Sequence, residues 1–266
     1  MTSDPLHERL RDWISSQGYN FELSVAEMFE EAGFDVGISE FVQASEQDAA
    51  REIDVVAREV SLLTPASTLE LIFAVECKHS VDKPWVVFHS RKSKPLARTM
   101  TYVSRFASDV ANVALLELAA SEEAEKTGLF SLPTRLGHGV RRAFEKHADA
   151  AYEAVTKICD AAAALVSAPK TKVVLTSVIV FPVIVIKGRL FESSLDDSGN
   201  VTLDEVTRST LYWKRPTIKT TRVPIDIVTD VGLSQYVTEK HKQCELMRPI
   251  IEKGIPKASG LSLFED

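Results

Sequence analysis

An acidic and a basic residue two positions apart, Glu76 and Lys78, are the first candidates for chemistry in this chain. They lie near the end of the segment LIFAVECKHS (71–80), whose apolar start is typical of a buried strand. Side chains alternate across a strand, so Glu76 and Lys78 emerge side by side on one face, and Cys77 is predicted to pack on the other. A buried charge costs free energy unless it is paired or binds a metal. The segment is therefore predicted to end in a charged functional site.

A second carboxylate, Asp54, lies near the start of a strand predicted at 53–60. Neighbouring strands lie about 4.8 Å apart, so two of them can bring Asp54 and Glu76 to one point. Two converging carboxylates repel each other unless a cation joins them, and oxygen ligands suit Mg²⁺ or Mn²⁺. The pair therefore predicts a divalent-metal site.

A third acid, Glu22, lies on a helix predicted at 21–32. Its helical spacing from Val25, Ala26 and Phe29 places it partly on the buried stripe. An acid that points toward a sheet is neutralised, paired or used. The alternative, a glutamate that reaches water at the edge of the helix, stays open.

The elements that must position these residues are helices and strands in alternation, which indicates an α/β fold with a mixed central sheet flanked by helices. One domain is predicted over residues 1–266. Strands are predicted at 34–38, 53–60, 69–78, 85–88 and 171–187. A long helical insert is predicted at 97–167, in two stretches at 97–126 and 138–167. A C-terminal β-rich extension is predicted at 188–266, with strands at 189–195, 207–213 and 223–228, a turn at 197–200 and a helix at 233–247.

With the acids and the lysine in this order, the sequence resembles the PD-(D/E)XK nuclease superfamily, whose fold is restriction-endonuclease-like, and its Mrr-like bacterial members. The segments that carry the resemblance are Phe21-Glu22, Gly33-Phe34-Asp35-Val36, Glu52-Ile53-Asp54-Val55 and Glu76-Cys77-Lys78. Ile53 replaces the proline of the superfamily's name, which members often lack. The resemblance covers a core of about 20–90 and 171–187, and it does not extend to the insert or the extension.

The resemblance implies a Mg²⁺-dependent (or Mn²⁺-dependent) endonuclease that hydrolyses DNA to a 5′-phosphate and a 3′-hydroxyl. Asp54, Glu76 and the Cys77 backbone carbonyl would bind the metal. Lys78 would position the attacking water or help to deprotonate it, and Glu22 would hold a water on the metal or a second metal. The resemblance also implies a homodimer, since cutting two strands calls for two sites, and a role in bacterial defence.

The overall charge neither demands nor excludes a nucleic-acid partner. The formal net charge of −7 argues mildly against a chain that coats nucleic acid through its overall field, but basic residues can act locally. The candidate nucleic-acid contacts are Lys83, Arg91, Lys92 and Lys94, with a solvated loop as the alternative. A second basic group on the predicted helix at 138–167 is a candidate phosphate-binding face or a solvated face: His138, Arg141, Arg142, Lys146 and His147. Trp85 is predicted to pack in the core rather than to stack on a base.

Composition and missing motifs limit the other classes. No apolar run approaches the ~20 residues that span a bilayer, and the N-terminus has no secretory signal. The three cysteines are widely spaced, so a cytoplasmic protein without disulfides or a membrane partner is predicted. Two functions besides the nuclease stay open. One is a non-catalytic nucleic-acid or protein-binding module on the same fold, and the other is an effector activated by a ligand or a protein partner.

Overall fold

A computed structural model describes residues 4–16, 18–43, 49–65, 67–91, 95–145, 149–168, 175–214 and 222–254. Its helices are α1 (Pro5–Ser16), α2 (Tyr19–Ala32), α3 (Arg98–Val103), α4 (Asp109–Ala120), α5 (Glu122–Thr127), α6 (Ala150–Ser167) and α7 (Asp230–Gly254). Its strands are β1 (Asp35–Val42), β2 (Arg51–Thr64), β3 (Ser67–His79), β4 (Trp85–His89), β5 (Phe106–Ala107), β6 (Gly137–Arg142), β7 (Leu175–Lys187), β8 (Leu190–Leu195), β9 (Val201–Val206), β10 (Arg208–Lys214) and β11 (Arg222–Thr229).

These strands form one mixed sheet with the order β1-β2-β3-β7-β11-β10-β6-β4-β8-β9, and β5 pairs with β7 beside this path. β3 lies inside it, antiparallel to β2 and parallel to β7 along its whole length. A strand with a neighbour on each side and helices over both faces is expected to be apolar throughout, which explains the run at 69–75. The predicted mixed sheet flanked by helices is confirmed.

The two faces of the sheet carry two separate hydrophobic clusters. On the first face, alternate β3 residues such as Phe73 pack with α2, α4 and α7. The parallel register places Phe73 beside Phe181, and their rings stack with centroids 5.0 Å apart. On the second face, Ile72 and Ala74 pack with α6. This second cluster also contains residues of β4, β6, β8, β10 and β11, and α6 itself contacts β2, β3, β7 and β6.

A corner after β3 and β7 connects them to β4 and β8. The Ser80 N–H donates to the Lys187 carbonyl at 3.0 Å, and the Trp85 N–H donates to the Arg189 carbonyl at 2.9 Å. The parallel pair β3–β7 therefore continues into the parallel pair β4–β8. Gly188 permits this corner, because it has φ +155° and a Cβ there would lie 2.5 Å from the Ser80 carbonyl oxygen.

The structure corrects the helical insert and completes the C-terminal extension. Residues 137–142 form β6, which pairs with β4 and β10, so the prediction of a helix there is wrong. His138, Arg141 and Arg142 therefore do not share a helix face, and Lys146 and His147 lie outside the described residues. The stretch 97–126 is broken into α3, β5, α4 and α5. The extension supplies β8 to β11, including β9, which the sequence analysis missed.

Among the described residues, no helix combines the length and the apolar character that crossing a membrane requires.

Candidate active site

Asp54 and Glu76 come together where the ladder between β2 and β3 ends. The last paired residues of that ladder are Val55 and Val75. Beyond them, the Cys77 backbone N–H donates to Asp54 Oδ2 at 2.7 Å. Asp54 thus accepts the backbone N–H beside the end of the ladder with Oδ2, which leaves Oδ1 for a second contact.

Glu76 is one of the most deeply buried charged residues of the described chain, with 1% of its surface exposed. It follows Ile72 and Ala74 on the second face of the sheet, as the alternation of the strand predicts. Lys78, one alternation further on, forms an ion pair with Glu76 Oε1. The Lys78 side chain is 32% exposed, so its ammonium group lies at the border between the buried carboxylate and solvent.

Lys157 is the residue that the sequence analysis missed. It projects from α6, and its Nζ lies 3.0 Å from Asp54 Oδ1 and 2.8 Å from Glu76 Oε2. One ammonium group therefore bridges the two carboxylates. A signal was present in the sequence, because Lys157 is the only basic residue of α6 and shares a helical stripe with the buried Ala154 and Ala161.

Burial and neighbouring charges set the protonation of this cluster. Burial, followed by the charge of Asp54, raises the pKa of the Glu76 carboxyl, and Lys78 and Lys157 only partly oppose this. Burial would lower the pKa of Lys157, but its hydrogen bond to Glu76 and the charges of both acids raise it above the ordinary value. Lys157 therefore remains an ammonium ion at neutral pH, in the place where a cation between two acids is needed.

Glu22 approaches the same point from the first turn of α2. Burial, followed by the charges of Asp54 and Glu52, raises the pKa of its carboxyl, and the charge of Glu76 adds to this. Within the described chain, the Glu22 carboxylate has neither an ion pair nor a hydrogen bond. The four residues predicted for the site, Glu22, Asp54, Glu76 and Lys78, thus lie within electrostatic range of one another.

The remaining residues of the motif have structural surroundings. Cys77 is buried in the cluster of the first face, and burial with the charge of Asp54 raises the pKa of its thiol well above the ordinary value, which fits the predicted packing role. Trp85 is fully buried and donates from Nε1 to Ser80 Oγ at 3.1 Å, so the predicted core position is confirmed. His79, by contrast, is exposed at the end of β3.

The predicted nucleic-acid contacts are spread out. Lys83 is half-buried in the corner after β3, where its charge acts on Glu145. Arg91 forms an ion pair with Asp197 at 2.5 Å, in the turn between β8 and β9. Lys92 and Lys94 lie outside the described residues.

Two carboxylates make up the donor set that the site offers to a divalent cation. Asp54 and Glu76 offer carboxylate oxygens that already converge on one cation, the Lys157 ammonium, and oxygen donors of this kind suit Mg²⁺ or Mn²⁺. No cluster of three or more His, Cys, Asp or Glu side chains in the described ranges is arranged to hold a metal ion. The set is therefore two carboxylates, with backbone or solvent oxygens as further ligands, and it fits a metal only if Lys157 withdraws.

No family model, curated protein or solved structure matches the chain.

Proposed function

We propose that the chain is a divalent-metal-dependent deoxyribonuclease on a restriction-endonuclease-like fold. The observation that supports this most is the pair of carboxylates on adjacent strands, Asp54 and Glu76, which converge on one cation at 3.0 and 2.8 Å. A phosphodiester is negatively charged and gains charge in the transition state, so cations must be aimed at it. Lys78 and a metal between the two acids would provide such an arrangement.

Each residue of the site has a proposed role. Asp54, Glu76 and the Cys77 carbonyl would hold Mg²⁺ or Mn²⁺, which when bound supplies Lewis-acid stabilisation of charge on the scissile phosphate. Lys78, half-exposed beside Glu76, would orient the attacking water by hydrogen bonding. The pKa of the Glu22 carboxyl is raised above its ordinary value by burial, which makes it a better proton acceptor. Glu22 would accept a proton from that water or hold it in place.

Lys157 has two proposed roles, one without the metal and one with it. Its side chain is 37% exposed, so the ammonium group has a path from the carboxylates to solvent. With a divalent cation held by Asp54 and Glu76, Lys157 would turn outward and contact a phosphate oxygen of the bound strand. It would then keep the charge of the site positive toward DNA, although the whole chain has a formal net charge of −7.

DNA is the proposed substrate, and a homodimer the proposed assembly, because one site faces one strand and two strands need two sites. A bacterial defence role in the cytoplasm completes the proposal, and a protein activator is compatible with it. These parts rest on the resemblance of the motif rather than on contacts of the described residues.

One observation favours a second function, a non-catalytic nucleic-acid or protein-binding module. All four oxygens of Asp54 and Glu76 are engaged within the chain, by Cys77 N–H, Lys78 and Lys157. Two acids and two lysines balance each other in charge, so the cluster is complete as a buried ion-pair network without a metal.

The deciding experiment is a plasmid-cleavage assay with about 10 mM Mg²⁺ or Mn²⁺, run in parallel with a reaction that contains EDTA. The variants Glu76→Gln and Lys78→Met remove one ligand and one cation. Their matched controls are Glu27→Gln and Lys126→Met, both at exposed positions. Metal-dependent cutting that falls at least about 100-fold in the two site variants, but not in the controls, is the expected result.

Cutting that survives in Glu76→Gln would place the chemistry elsewhere in the preparation or the chain. If neither metal gives cutting, and calorimetry with Mn²⁺ detects no heat that depends on Glu76, the binding-module function replaces the nuclease. Calorimetric binding that is lost in Glu76→Gln, without cutting of plasmid, would retain the metal site and exclude plain duplex DNA as the substrate.

A further inference from the structure

A cavity of about 400 Å³ lies between β10, α7 and the segment that follows α5. Its walls share no residue with the candidate active site. The lining residues that matter for its chemistry are Ser131, Arg208, Thr210, Glu239, Lys240 and Gln243. The volume suits a small metabolite up to the size of a mononucleotide.

Around Arg208 and Lys240 in the cavity wall, positive charges outnumber the nearest acid, Asp226. Asp226 lies behind Arg208 and Thr210 of the cavity wall, with 16% of its side chain exposed, and it is already engaged by Thr210 Oγ1 at 2.7 Å, Tyr236 Oη at 3.1 Å and Arg208 Nη2 at 3.3 Å. The charges of Arg105 and Lys240 act on the same carboxylate. Three cations thus share one largely enclosed anion, which leaves an excess of positive charge around it.

The acids nearer the surface do not remove this excess. Glu239 lies 3.7 Å from Arg208, but its side chain is 46% exposed, so water screens the interaction. Glu192, at the other side of the cavity, is engaged by Ser209 Oγ at 2.7 Å and lies 3.2 Å from His89 Nε2. Neither acid contacts the amino group of Lys240.

Lys240 is a buried cation in the cavity wall. It is only 4% exposed and lines the cavity, with Nζ 5.7 Å from the centroid of the Tyr236 ring. With the described part of the chain alone, its ammonium group forms no ion pair and no hydrogen bond. Burial lowers the pKa of this amine from its ordinary value, against the opposing charge of Asp226. Tyr236 offers this ammonium group only the face of its ring, and an anionic ligand would add a counter-charge in direct contact with it.

Gln243, one turn further along α7, adds a second unsatisfied group. Its Nε2 donates to Glu239 Oε1 at 2.9 Å, which fixes the orientation of the amide. Its Oε1 is buried and has no hydrogen-bond partner among the described residues. A buried acceptor of this kind needs an N–H or O–H donor.

We propose that this cavity binds a small molecule in which an oxyanion, phosphate or carboxylate, stands beside a hydrogen-bond donor. The oxyanion pairs with Lys240 and Arg208, and Ser131 offers a hydroxyl from the segment that follows α5. The donor of the ligand satisfies Gln243 Oε1. A mononucleotide and an amino acid both meet these requirements, and they differ in which oxyanion they present.

The test is isothermal calorimetry on the full chain, with inorganic phosphate, adenosine 5′-monophosphate and L-glutamate as probes in a buffer without other oxyanions. Lys240→Met removes the charge and keeps the length of the side chain. Lys242→Met, exposed on the same helix, is the matched control. At least one probe is expected to bind the wild-type chain, with an affinity that falls at least about tenfold in Lys240→Met and is unchanged in Lys242→Met.

A second variant, Gln243→Met, and near-ultraviolet circular dichroism guard against loss of folding in Lys240→Met. Adenosine 5′-monophosphate and L-glutamate, which carry donors, are expected to lose affinity in Gln243→Met, whereas inorganic phosphate tests the oxyanion contacts alone. Binding must also survive in Glu76→Gln, because the cavity is separate from the candidate nuclease site. Absence of binding by all three probes, or equal binding by wild type and a folded Lys240→Met, would overturn the proposal.

Discussion

Replacement of Lys157 by methionine tests the central geometry of the site, because it removes the cation that bridges Asp54 and Glu76. Breaking a fully buried ion pair by removing one partner costs about 3–5 kcal/mol. The Lys157 side chain is 37% exposed, and Lys78 still neutralises part of the charge on Glu76, so solvent screening reduces the expected loss to about 2 kcal/mol. For a chain of this size, that corresponds to a fall in Tm of about 4–8 °C.

A divalent cation should reverse this loss. Lys157→Met leaves two carboxylates converging on a place without a cation, so Mg²⁺ no longer competes with an ammonium group. A ligand at about 100 times its Kd stabilises the folded state by about 2.7 kcal/mol, which would more than compensate for the missing lysine. Mg²⁺ is therefore expected to raise the Tm of Lys157→Met more than that of the wild-type chain.

The assay is thermal unfolding followed by fluorescence, first in EDTA and then in a Mg²⁺ series. Lys126→Met, at an exposed position, is the control for loss of a lysine. The double variant Lys157→Met with Glu76→Gln controls for metal bound elsewhere. An unchanged Tm of Lys157→Met in EDTA would refute the bridging role, and an equal Mg²⁺ response in the double variant would refute the carboxylate site.

Three further predictions test the surroundings of the site. Gly188→Ala should lower the free energy of unfolding by about 1–3 kcal/mol, because φ +155° strains an alanine whose Cβ meets the Ser80 carbonyl at 2.5 Å; urea unfolding measures this, and an unchanged midpoint contradicts it. Burial raises the pKa of Cys244 to about 12 and that of Cys77 well above its ordinary value. Neither thiol should therefore react with iodoacetamide at pH 8 until the chain is unfolded, and labelling of the folded chain in mass spectrometry would contradict this. Asp54→Asn keeps an oxygen that can accept the Cys77 N–H, so circular dichroism should show a folded chain. Calorimetry should show Mn²⁺ binding at least about tenfold more weakly, and wild-type affinity would exclude Asp54 as a ligand.

The sequence predicts the part of the site that lies on strands close in the chain. Glu76 and Lys78 share a face because a strand repeats every two residues, and Asp54 lies on the preceding strand of an antiparallel pair. Lys157 escaped prediction for a physical reason. Its role depends on α6 covering the second face of the sheet, and helical periodicity shows which stripe is buried but not which strand it covers.

The sequence predicts a helix from 138 onward, and its basic residues four positions apart also match a helix face, but residues 137–142 form β6. Gly137 and Gly139 are poor helix formers, and the register with β4 and β10 decides the conformation through contacts distant in sequence. A Cβ at Gly137 would lie 2.3 Å from a Val87 methyl, which shows how closely β4 and β6 approach. β9 left a weak signal, because an edge strand with exposed Val201 and Leu203 lacks the burial that makes alternation visible.

The parallel pairing of β3 with β7 has a consequence for synthesis. Thr68 and Thr176 share a hydrogen bond across 108 residues of sequence. At about 5–20 residues per second, a ribosome needs roughly 5–20 s to make that interval. During this time β3 has β2 on one side and an open, apolar edge on the other, a form that invites aggregation and that chaperones protect. The helix that carries Lys157 also emerges late in this interval, so the acids of β2 and β3 meet their bridging cation only when most of the chain has been translated.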